Sequence, residues 1–361
     1  MTKILILGAN HASTMNSLKI GFDEVGIKCK ALSFDKYRSE YNNYDKIECL
    51  YPEEDKNSGR IKKALQWRYL YFVGIFLYIK RLMWANVVIY YSHPSYNILR
   101  KKRKHFSWEL LMIKVFVKKR YVWFTGSDIR DPEVELSINP YFKYAWGNKN
   151  YEYKNWESSK NSFRVQRLFS RNKFKAIVWD QYPFLNPLLF GSYLTIPHAS
   201  VSTITLEKGI NVVKNIVHAP TAPCAKGSEF IFAAIEKLKQ HRSDFNFTLL
   251  HKMTNSAYQK SIEEADILID QLIWGAYGVA TQQALQSGKV VVCYLLENRI
   301  KTIYGESCPV INANIDNLFL VLDNLLDMED FNEIKNKGKK YYREMHSPSS
   351  VVKKLLNEIN N

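Results

Sequence analysis

The stretch 265–293 restricts the fold of this chain more than any other, because a strand, a glycine loop, a helix and a second strand follow one another within it. The apolar run 265–272 predicts a buried strand, and the β-branched run 290–293 predicts another. Between them, Gly275–Gly278 leads into the helical spacing of 279–286. Such a loop presents free N–H groups and the positive end of a helix dipole. The pattern predicts either a phosphate or sugar-hydroxyl site or an ordinary βαβ unit with a glycine turn.

A second loop of the same kind lies upstream. A predicted strand ends at His218, and Lys226, Gly227 and Ser228 then precede an amphipathic helix. In a parallel sheet this loop and the 275–278 loop open on the same edge. Together they offer a lysine, several backbone N–H groups and two helix N-termini, which favours a bound diphosphate. The loop is not a Walker loop, because the pattern GxxxxGK[ST] does not occur in the sequence.

The first half of the chain also predicts a doubly wound α/β sheet. A strand over 3–8, a helix over 17–26 and a strand over 29–34 form a βαβ opening. The loop after the first strand begins with Gly8 and Asn10. Doubly wound folds bind ligands at the carboxyl ends of their strands, so we expect this loop to contact a substrate.

Two further predicted strands of the first half end in polar loops. His93 follows one strand, and Ser127, Asp128 and Arg130 follow the other. We expect these side chains to approach a substrate. The alternatives are that His93 is an ordinary loop histidine and that Asp128 only caps a helix.

The 361 residues suffice for two domains, and their formal net charge of +16 favours anionic partners. The five cysteines are far apart and form no CxxC pair, which argues against a disulfide framework and a zinc site. The short apolar run at the N-terminus reads as a strand and not as a signal peptide. We therefore expect a cytoplasmic protein.

The basic charge is concentrated in a stretch that is also rich in aromatic residues. Residues 60–120 contain about fifteen lysines and arginines against one acid, Glu109, which is the pattern of a surface that seeks anions. The apolar run 69–79 is too short to span a membrane, which takes about twenty residues. It predicts either a helix in the membrane interface or a buried helix with charged ends. A nucleic-acid-binding protein is the third alternative, but no RNA- or DNA-binding motif is present.

Three segments resemble the GT-B glycosyltransferases, specifically the retaining family 4. They are 216–239, 263–295 and, less closely, 124–130. The resemblance implies two Rossmann-like, doubly wound domains that face each other across a cleft. Residues 1–200 would bind the acceptor, 201–346 would bind the nucleotide sugar, and a helix over 347–361 would pack back on the first domain.

The resemblance also implies roles for residues. Lys226 would contact the donor diphosphate and steady the leaving nucleotide, with Asp128 as the second catalytic candidate, and no metal or other cofactor would be needed. The candidate donor-binding residues are Gly8, His218, Lys226, Gly227, Gly275, Ala276, Tyr277, Gly278 and Gln283. The candidate acceptor-binding residues are Asn10, His93, Ser127 and Arg130.

The sequence departs from the family in the arginine that usually precedes the lysine, in a histidine of the first domain, near whose place Thr125 stands, and at two positions of the segment 263–295. The family places two glutamates eight residues apart, and this chain has Gly275 and Gln283 there. The glutamine can still accept a hydrogen bond, but without the help of a charge. A non-catalytic relative or partner subunit that binds a nucleotide sugar is therefore an alternative to an enzyme.

The function expected from these observations is transfer of a sugar, with retention, from a nucleotide sugar to a saccharide acceptor. The acceptor would be lipid-linked and belong to the synthesis of cell-surface polysaccharide. The stretch 60–120 would hold the protein at the inner face of the membrane, as a peripheral protein, and nucleic acid would not be a partner.

Overall fold

The structure is a computed structural model that describes residues 2–33, 45–49, 60–92, 108–202, 213–251 and 253–360. It divides the chain into two compact units. Unit 1 comprises 1–130, 160–199 and 351–361, and unit 2 comprises 131–159 and 200–350. Residues 131–159, which the sequence analysis assigned to the first domain, thus belong to unit 2.

Unit 1 is built on a seven-stranded parallel sheet in the order β3-β2-β1-β4-β5-β6-β7. Strand β1 pairs with β2 on one side and β4 on the other, and its apolar run Ile4–Leu7 is buried, as expected for an interior strand of a parallel sheet. The strands are β1 (Lys3–Gly8), β2 (Lys28–Ser33), β3 (Glu48–Cys49), β4 (Val87–Tyr91), β5 (Lys119–Trp123), β6 (Lys175–Val178) and β7 (Tyr193–Thr195).

Unit 2 has a five-stranded parallel sheet in the order β12-β11-β10-β8-β9. Its strands are β8 (Lys214–His218), β9 (Phe245–Leu249), β10 (Ile267–Ile269), β11 (Val290–Cys293) and β12 (Ile311–Asn312). The two parallel sheets with their helices confirm the predicted α/β class and the doubly wound architecture.

Helices connect the strands in both units. The helices are α1 (Thr14–Glu24), α2 (Arg60–Trp84), α3 (Trp108–Phe116), α4 (Pro132–Ile138), α5 (Phe142–Trp146), α6 (Ser159–Arg171), α7 (Pro223–Lys226), α8 (Ser228–Lys239), α9 (Asn255–Glu264), α10 (Val279–Gln286), α11 (Glu297–Arg299), α12 (Leu318–Asp327), α13 (Asn332–Met345) and α14 (Pro348–Asn360). In the described part of the chain, no helix combines the length and the apolar character that spanning a bilayer requires.

Helix α14 completes the core of unit 1. Its residues Val351, Val352, Leu355 and Ile359 are buried in the same apolar cluster as strands β1, β4 and β5. Burial of side chains of this size stabilises the unit by about 1.5–3 kcal/mol each. The core of unit 1 is therefore assembled from chain segments on both sides of unit 2 in sequence.

Candidate functional site

The two glycine-bearing loops of unit 2 lie side by side. Strands β8 and β10 are hydrogen-bonded neighbours, with His218 opposite Ile269 at their carboxyl ends. The backbone N–H of Leu272 donates to the carbonyl of Lys226 at 3.0 Å, so the loops are also joined beyond the strands. The lysine and the glycine loop thus come to one edge of the sheet, as the sequence indicates.

Lys226 forms a buried ion pair that the sequence analysis did not predict. Its Nζ lies 2.6 Å from Oδ1 of Asp270, and the carboxylate is fully buried. Burial alone would raise the pKa of Asp270, but the Lys226 ammonium and the hydrogen bonds that the carboxylate accepts lower the pKa below its usual value. The sequence does contain a signal for this pair: Asp270 stands at the end of an apolar strand, and a buried carboxylate needs a charged or hydrogen-bonding partner.

The same carboxylate fixes the start of helix α10. Oδ2 of Asp270 accepts hydrogen bonds from the backbone N–H of Gly278 at 2.9 Å and from the hydroxyl of Thr281 at 2.8 Å. One buried acid therefore holds both the lysine and the helix N-terminus. The ammonium group has three donors, so pairing with Asp270 leaves it able to donate to a second anion.

The carbonyl groups of the glycine loop point into unit 2. Asn139 Nδ2 donates to Ile273 O at 2.8 Å, and Arg299 Nη1 donates to Trp274 O at 2.7 Å and to Gly275 O at 3.2 Å. Gln271 Nε2 donates to the carbonyl of Ala276, which follows Gly275 in the loop. Consecutive carbonyls are thus occupied by partners below the loop.

Several N–H groups of the same loop have no acceptor among the described residues, although that of Gly278 donates to Asp270. No described residue accepts a hydrogen bond from the N–H of Gly275, Ala276 or Tyr277, nor from those of Val279 and Ala280 in the first turn of α10. Successive unbonded N–H groups at a helix N-terminus attract anions and hydroxyl oxygens. This cradle, together with Lys226, is the candidate binding site of unit 2.

His218, another donor-site candidate, has its hydrogen-bond partners within the unit. His218 is fully buried, and burial lowers its pKa to about 4, so the ring is neutral. Its Nδ1–H donates to Ile269 O at 2.8 Å, and its Nε2 therefore accepts from the Ser228 hydroxyl at 2.8 Å. The ring thus positions Ser228 in the first turn of α8.

Gly227 and Gln283 border the same loops. Gly227 joins α7 to α8 with a φ of +77°, a conformation that favours glycine. Gln283 Nε2 donates to Val201 O at 3.3 Å, while Oε1 accepts from no described residue. That oxygen remains available to a ligand hydroxyl. The hydroxyl of Tyr277 is directed inward, toward His346 Nε2 at 2.7 Å, so only the backbone of Tyr277 belongs to the cradle.

The candidate residues of unit 1 lie at the carboxyl edge of its sheet. Gly8, Tyr91 and Trp123 are aligned at the ends of β1, β4 and β5. Gly8 has a φ of +117°, and a Cβ there would be 2.3 Å from the carbonyl oxygen of Tyr91, so only glycine fits. Asn10 is buried, and its Oδ1 accepts from Asn16 N at 3.2 Å, which ties down the turn before α1.

The loop after β5 is organised by Asp128. Its Oδ1 accepts from the backbone N–H of Thr125 at 3.1 Å and of Gly126 at 2.8 Å. Burial raises the pKa of Asp128 to about 6, although hydrogen bonds from Ser92 and from the two backbone groups favour the charged form. Ser127 and Arg130 in this loop are half-buried, and His93 lies outside the described residues.

We expect Asp128→Asn to change how the stability of the protein depends on pH. The folded-state pKa is raised, so ionisation of Asp128 opposes folding, and this cost is absent below pH 4 and complete above pH 6. The asparagine can keep both backbone hydrogen bonds. The wild type should therefore lose about 3 kcal/mol of unfolding free energy relative to Asp128→Asn as the pH rises through this window.

Urea unfolding of both proteins at pH 4, 5, 6 and 7 measures this difference, and a difference independent of pH would contradict the raised pKa. Turnover separates the two roles of the carboxylate. A catalytic Asp128 should lose at least about a hundredfold in kcat on this change, whereas unchanged turnover would leave it as a loop cap.

Within the residues that the structure describes, no three His, Cys, Asp or Glu side chains cluster in a way that could hold a metal ion. No protein-family model matches the chain, and no curated protein matches it either.

The fold as a whole is similar to those of known structures. A sucrose-phosphate synthase from Thermosynechococcus elongatus is 9% identical, with a TM-score of 0.63 over 99% of this chain and 98% of that chain. A glycosyltransferase from Rickettsia africae ESF-5 is 12% identical, with a TM-score of 0.57 over 99% of this chain and 98% of that chain. WaaG, a glycosyltransferase involved in lipopolysaccharide biosynthesis, is 11% identical, with a TM-score of 0.52 over 99% of this chain and 100% of that chain. The chain therefore has the GT-B fold.

Proposed function

We propose that this GT-B protein is a glycosyltransferase that takes its sugar from a nucleotide-sugar donor bound to unit 2. The observation behind the proposal is the cradle of unbonded N–H groups at 275–277 and 279–280 next to the Lys226 ammonium. Such donors match the oxygens of a diphosphate, and Lys226 adds a positive charge. The similar folds of the Rickettsia africae glycosyltransferase and of WaaG support the same function.

In the proposed reaction, the bond between the sugar and the diphosphate breaks, and the acceptor oxygen bonds to the same sugar carbon from the same face, with retention. The proton of the acceptor hydroxyl passes to the departing diphosphate. Negative charge then grows on the departing diphosphate. The N–H groups and Lys226 are already oriented toward that charge, and one such donor contributes about 10²–10³ in rate. We propose that these groups, with no metal ion, stabilise the leaving nucleotide, and that Gln283 Oε1 accepts from a ribose hydroxyl.

The experiment that tests the donor site is thermal unfolding with UDP, GDP and ADP, each with and without magnesium. A diphosphate at a hundred times its Kd stabilises the folded protein by about 2.7 kcal/mol. For a unit of this size we expect one of the three to raise Tm by about 5–10 °C. Inorganic pyrophosphate is the control, because it shares the charge but lacks the nucleoside.

A shift with one nucleoside diphosphate and a smaller shift with pyrophosphate would support the donor site and identify the nucleotide. Equal shifts with all four would indicate an unspecific anion site. No shift at millimolar concentration would contradict the proposal.

A relative that binds the donor without transferring it is the second candidate, because Gly275 and Gln283 replace two carboxylates. A diphosphate-induced shift without release of nucleotide from any nucleotide sugar would favour this candidate. Turnover with one donor would exclude it.

We further propose that the acceptor is a lipid-linked saccharide of cell-surface polysaccharide synthesis, reached from the cytoplasmic side of an anionic membrane. Phe72, Phe76 and Met83 form an exposed apolar stripe on one face of α2, with Lys80 on the same face. Val115 in α3 is also exposed. Apolar side chains beside basic ones are typical of helices that lie in a membrane interface. The five consecutive basic residues 100–104, within the stretch 60–120, lie outside the described residues.

We expect the triple change F72S/F76S/M83S to weaken binding to phosphatidylserine-containing vesicles by at least about tenfold, because it removes three side chains that would be buried in lipid. Co-sedimentation at two salt concentrations measures the effect. Leu320→Ser is the matched control, since Leu320 in unit 2 is 60% exposed. Equal losses for the two proteins would contradict the proposed membrane surface, and binding to nucleic acid but not to vesicles would favour the third alternative.

A further inference from the structure

The segment 131–159 reaches both loops of the candidate donor site. It follows unit 1 in sequence but belongs to unit 2, where it forms α4, α5 and the turns at 147–157. Neither a glycine motif nor a charge run distinguishes it in the sequence. Its contacts therefore indicate a role that the sequence did not suggest.

Glu135 and Asn139 of this segment are buried below the glycine loop, each about 1% exposed. Asn139 Nδ2 donates to Glu135 Oε1 at 2.7 Å and to Ile273 O at 2.8 Å. Glu135 Oε2 lies 3.4 Å from Nη2 of Arg299, which in turn holds two carbonyls of the loop. A chain of buried polar groups thus runs from α4 through Arg299 to the loop backbone.

Stability alone does not account for this network. Removing two charges and an amide from water costs free energy, and apolar residues of similar size often pack as well or better. What the network adds is orientation, because it fixes the carbonyls of Ile273, Trp274 and Gly275 inward. Because each of these carbonyls shares a peptide plane with the next N–H group, the same bonds also fix the N–H groups of Trp274, Gly275 and Ala276.

The same segment also contacts the other loop. Glu152 accepts hydrogen bonds from the backbone N–H of Cys224 at 2.9 Å and of Ala225 at 3.1 Å, at the start of α7. The carboxylate thereby fixes the turn that ends in Lys226. One segment therefore contacts the loop of the lysine and the loop of the N–H cradle.

We propose that Glu135 and Asn139 are positioning residues that hold the glycine loop in the conformation that binds the donor diphosphate. This proposal rests on the proposed function only for the identity of the ligand. The loop geometry itself can be tested without any ligand.

The test compares Asn139→Leu with wild type, using Glu133→Gln as the matched control, because Glu133 lies in the adjoining helix α4 and is exposed. Two bonded amides report on the loop: Leu296 N–H donates to Gly275 O at 3.0 Å, and Gly278 N–H donates to Asp270. We expect hydrogen exchange of both amides to rise at least tenfold in Asn139→Leu, while amides of the β8 strand stay protected. The Kd for the nucleoside diphosphate found by the thermal screen should rise at least tenfold as well.

Unchanged exchange at the two reporter amides would overturn the proposal, and so would a rise of the same size throughout unit 2, which would mean general destabilisation. If Asn139→Leu does not fold, Glu135→Gln replaces it, because the amide keeps the shape of the carboxylate and only weakens its attraction for Arg299. If the wild type binds no diphosphate, the proposed function fails, and the exchange result still decides the positioning role. If the wild type does bind a diphosphate, faster exchange of the two amides in Asn139→Leu with an unchanged Kd would also overturn the proposal.

Discussion

Replacing Lys226 with alanine is expected to abolish sugar transfer and to lower the free energy of unfolding by about 3–5 kcal/mol. Transfer is lost because the charge opposite the diphosphate is removed. Stability is lost because Asp270 is fully buried and keeps a carboxylate without its 2.6 Å partner. Replacing an exposed lysine would cost little stability, whereas replacing this buried one also destabilises the fold. Urea unfolding and a nucleotide-release assay measure the two effects.

A paired substitution separates the two losses. In Lys226→Met with Asp270→Asn, the buried charges disappear together, so most of the stability should return while transfer stays absent. Lys239→Ala is the surface control, because its pair with Glu236 is exposed and contributes at most about 1 kcal/mol. Full turnover in the paired variant would show that the diphosphate is bound elsewhere.

Gly275→Glu, which introduces the glutamate of the family, is expected to damage the site instead of improving it. Gly275 has a φ of +61°, which costs any other residue about 1–2 kcal/mol. A Cβ would also lie 2.5 Å from Cγ of Leu296, so the side chain or the loop must move. We expect a loss of about 2–4 kcal/mol of unfolding free energy and a loss of diphosphate binding, because a displaced loop no longer aligns its N–H groups.

Two matched variants divide this effect into its parts. Gly26→Ala measures the backbone cost alone, since Gly26 has a φ of +72° and nothing within 4 Å of the added Cβ. Gly275→Ala should lower the free energy of unfolding more than Gly26→Ala does, because it adds the clash with Leu296. Combining it with Leu296→Ala should restore only part of the stability lost to the clash, because the smaller side chain leaves a cavity. A Gly275→Glu protein that is as stable as wild type and binds the donor more tightly would contradict this account of the loop.

The regular elements of unit 2 could be predicted closely from the sequence. Helix α10 and strand β11 have the predicted bounds, because apolar periodicity and the flanking glycines mark them clearly. The central strand was predicted over 265–272, but β10 covers only Ile267–Ile269. Asp270 and the following residues leave the strand because their polar groups bond to Lys226 and to the loop.

The site could be predicted only in part, for a physical reason. Loops at the carboxyl ends of neighbouring parallel strands must meet, so the proximity of Lys226 to the glycine loop follows from the strand pattern. The partners of buried groups do not follow from it. Glu135 and Arg299 are 164 positions apart in the sequence, and Lys226 and Asp270 are 44 positions apart. Local periodicity cannot predict pairs that are this distant in sequence.

Residues 131–159 are the clearest example of this limit. Aromatic and polar residues are mixed there without a helical or strand period, and the resemblance to the GT-B family placed the segment in the first domain, 1–200. The tertiary contacts of the segment place it in unit 2. Phe142, Ala145 and Tyr151 pack in one apolar cluster with Ala225 and Ile273, which lie in the two loops of the candidate site.

The contribution of α14 to the core of unit 1 has a consequence for biosynthesis. Residues 351–359 leave the ribosome after all of 200–350, and at about 5–20 residues per second that interval lasts roughly 8–30 s. Throughout it, strands β1, β4 and β5 lack the apolar cover that α14 provides. Unit 2, whose last residue is 350, is completed only immediately before 351, so unit 1 exposes this apolar surface for the whole interval. Chaperone binding during translation should therefore concentrate on the half of the protein that is made first.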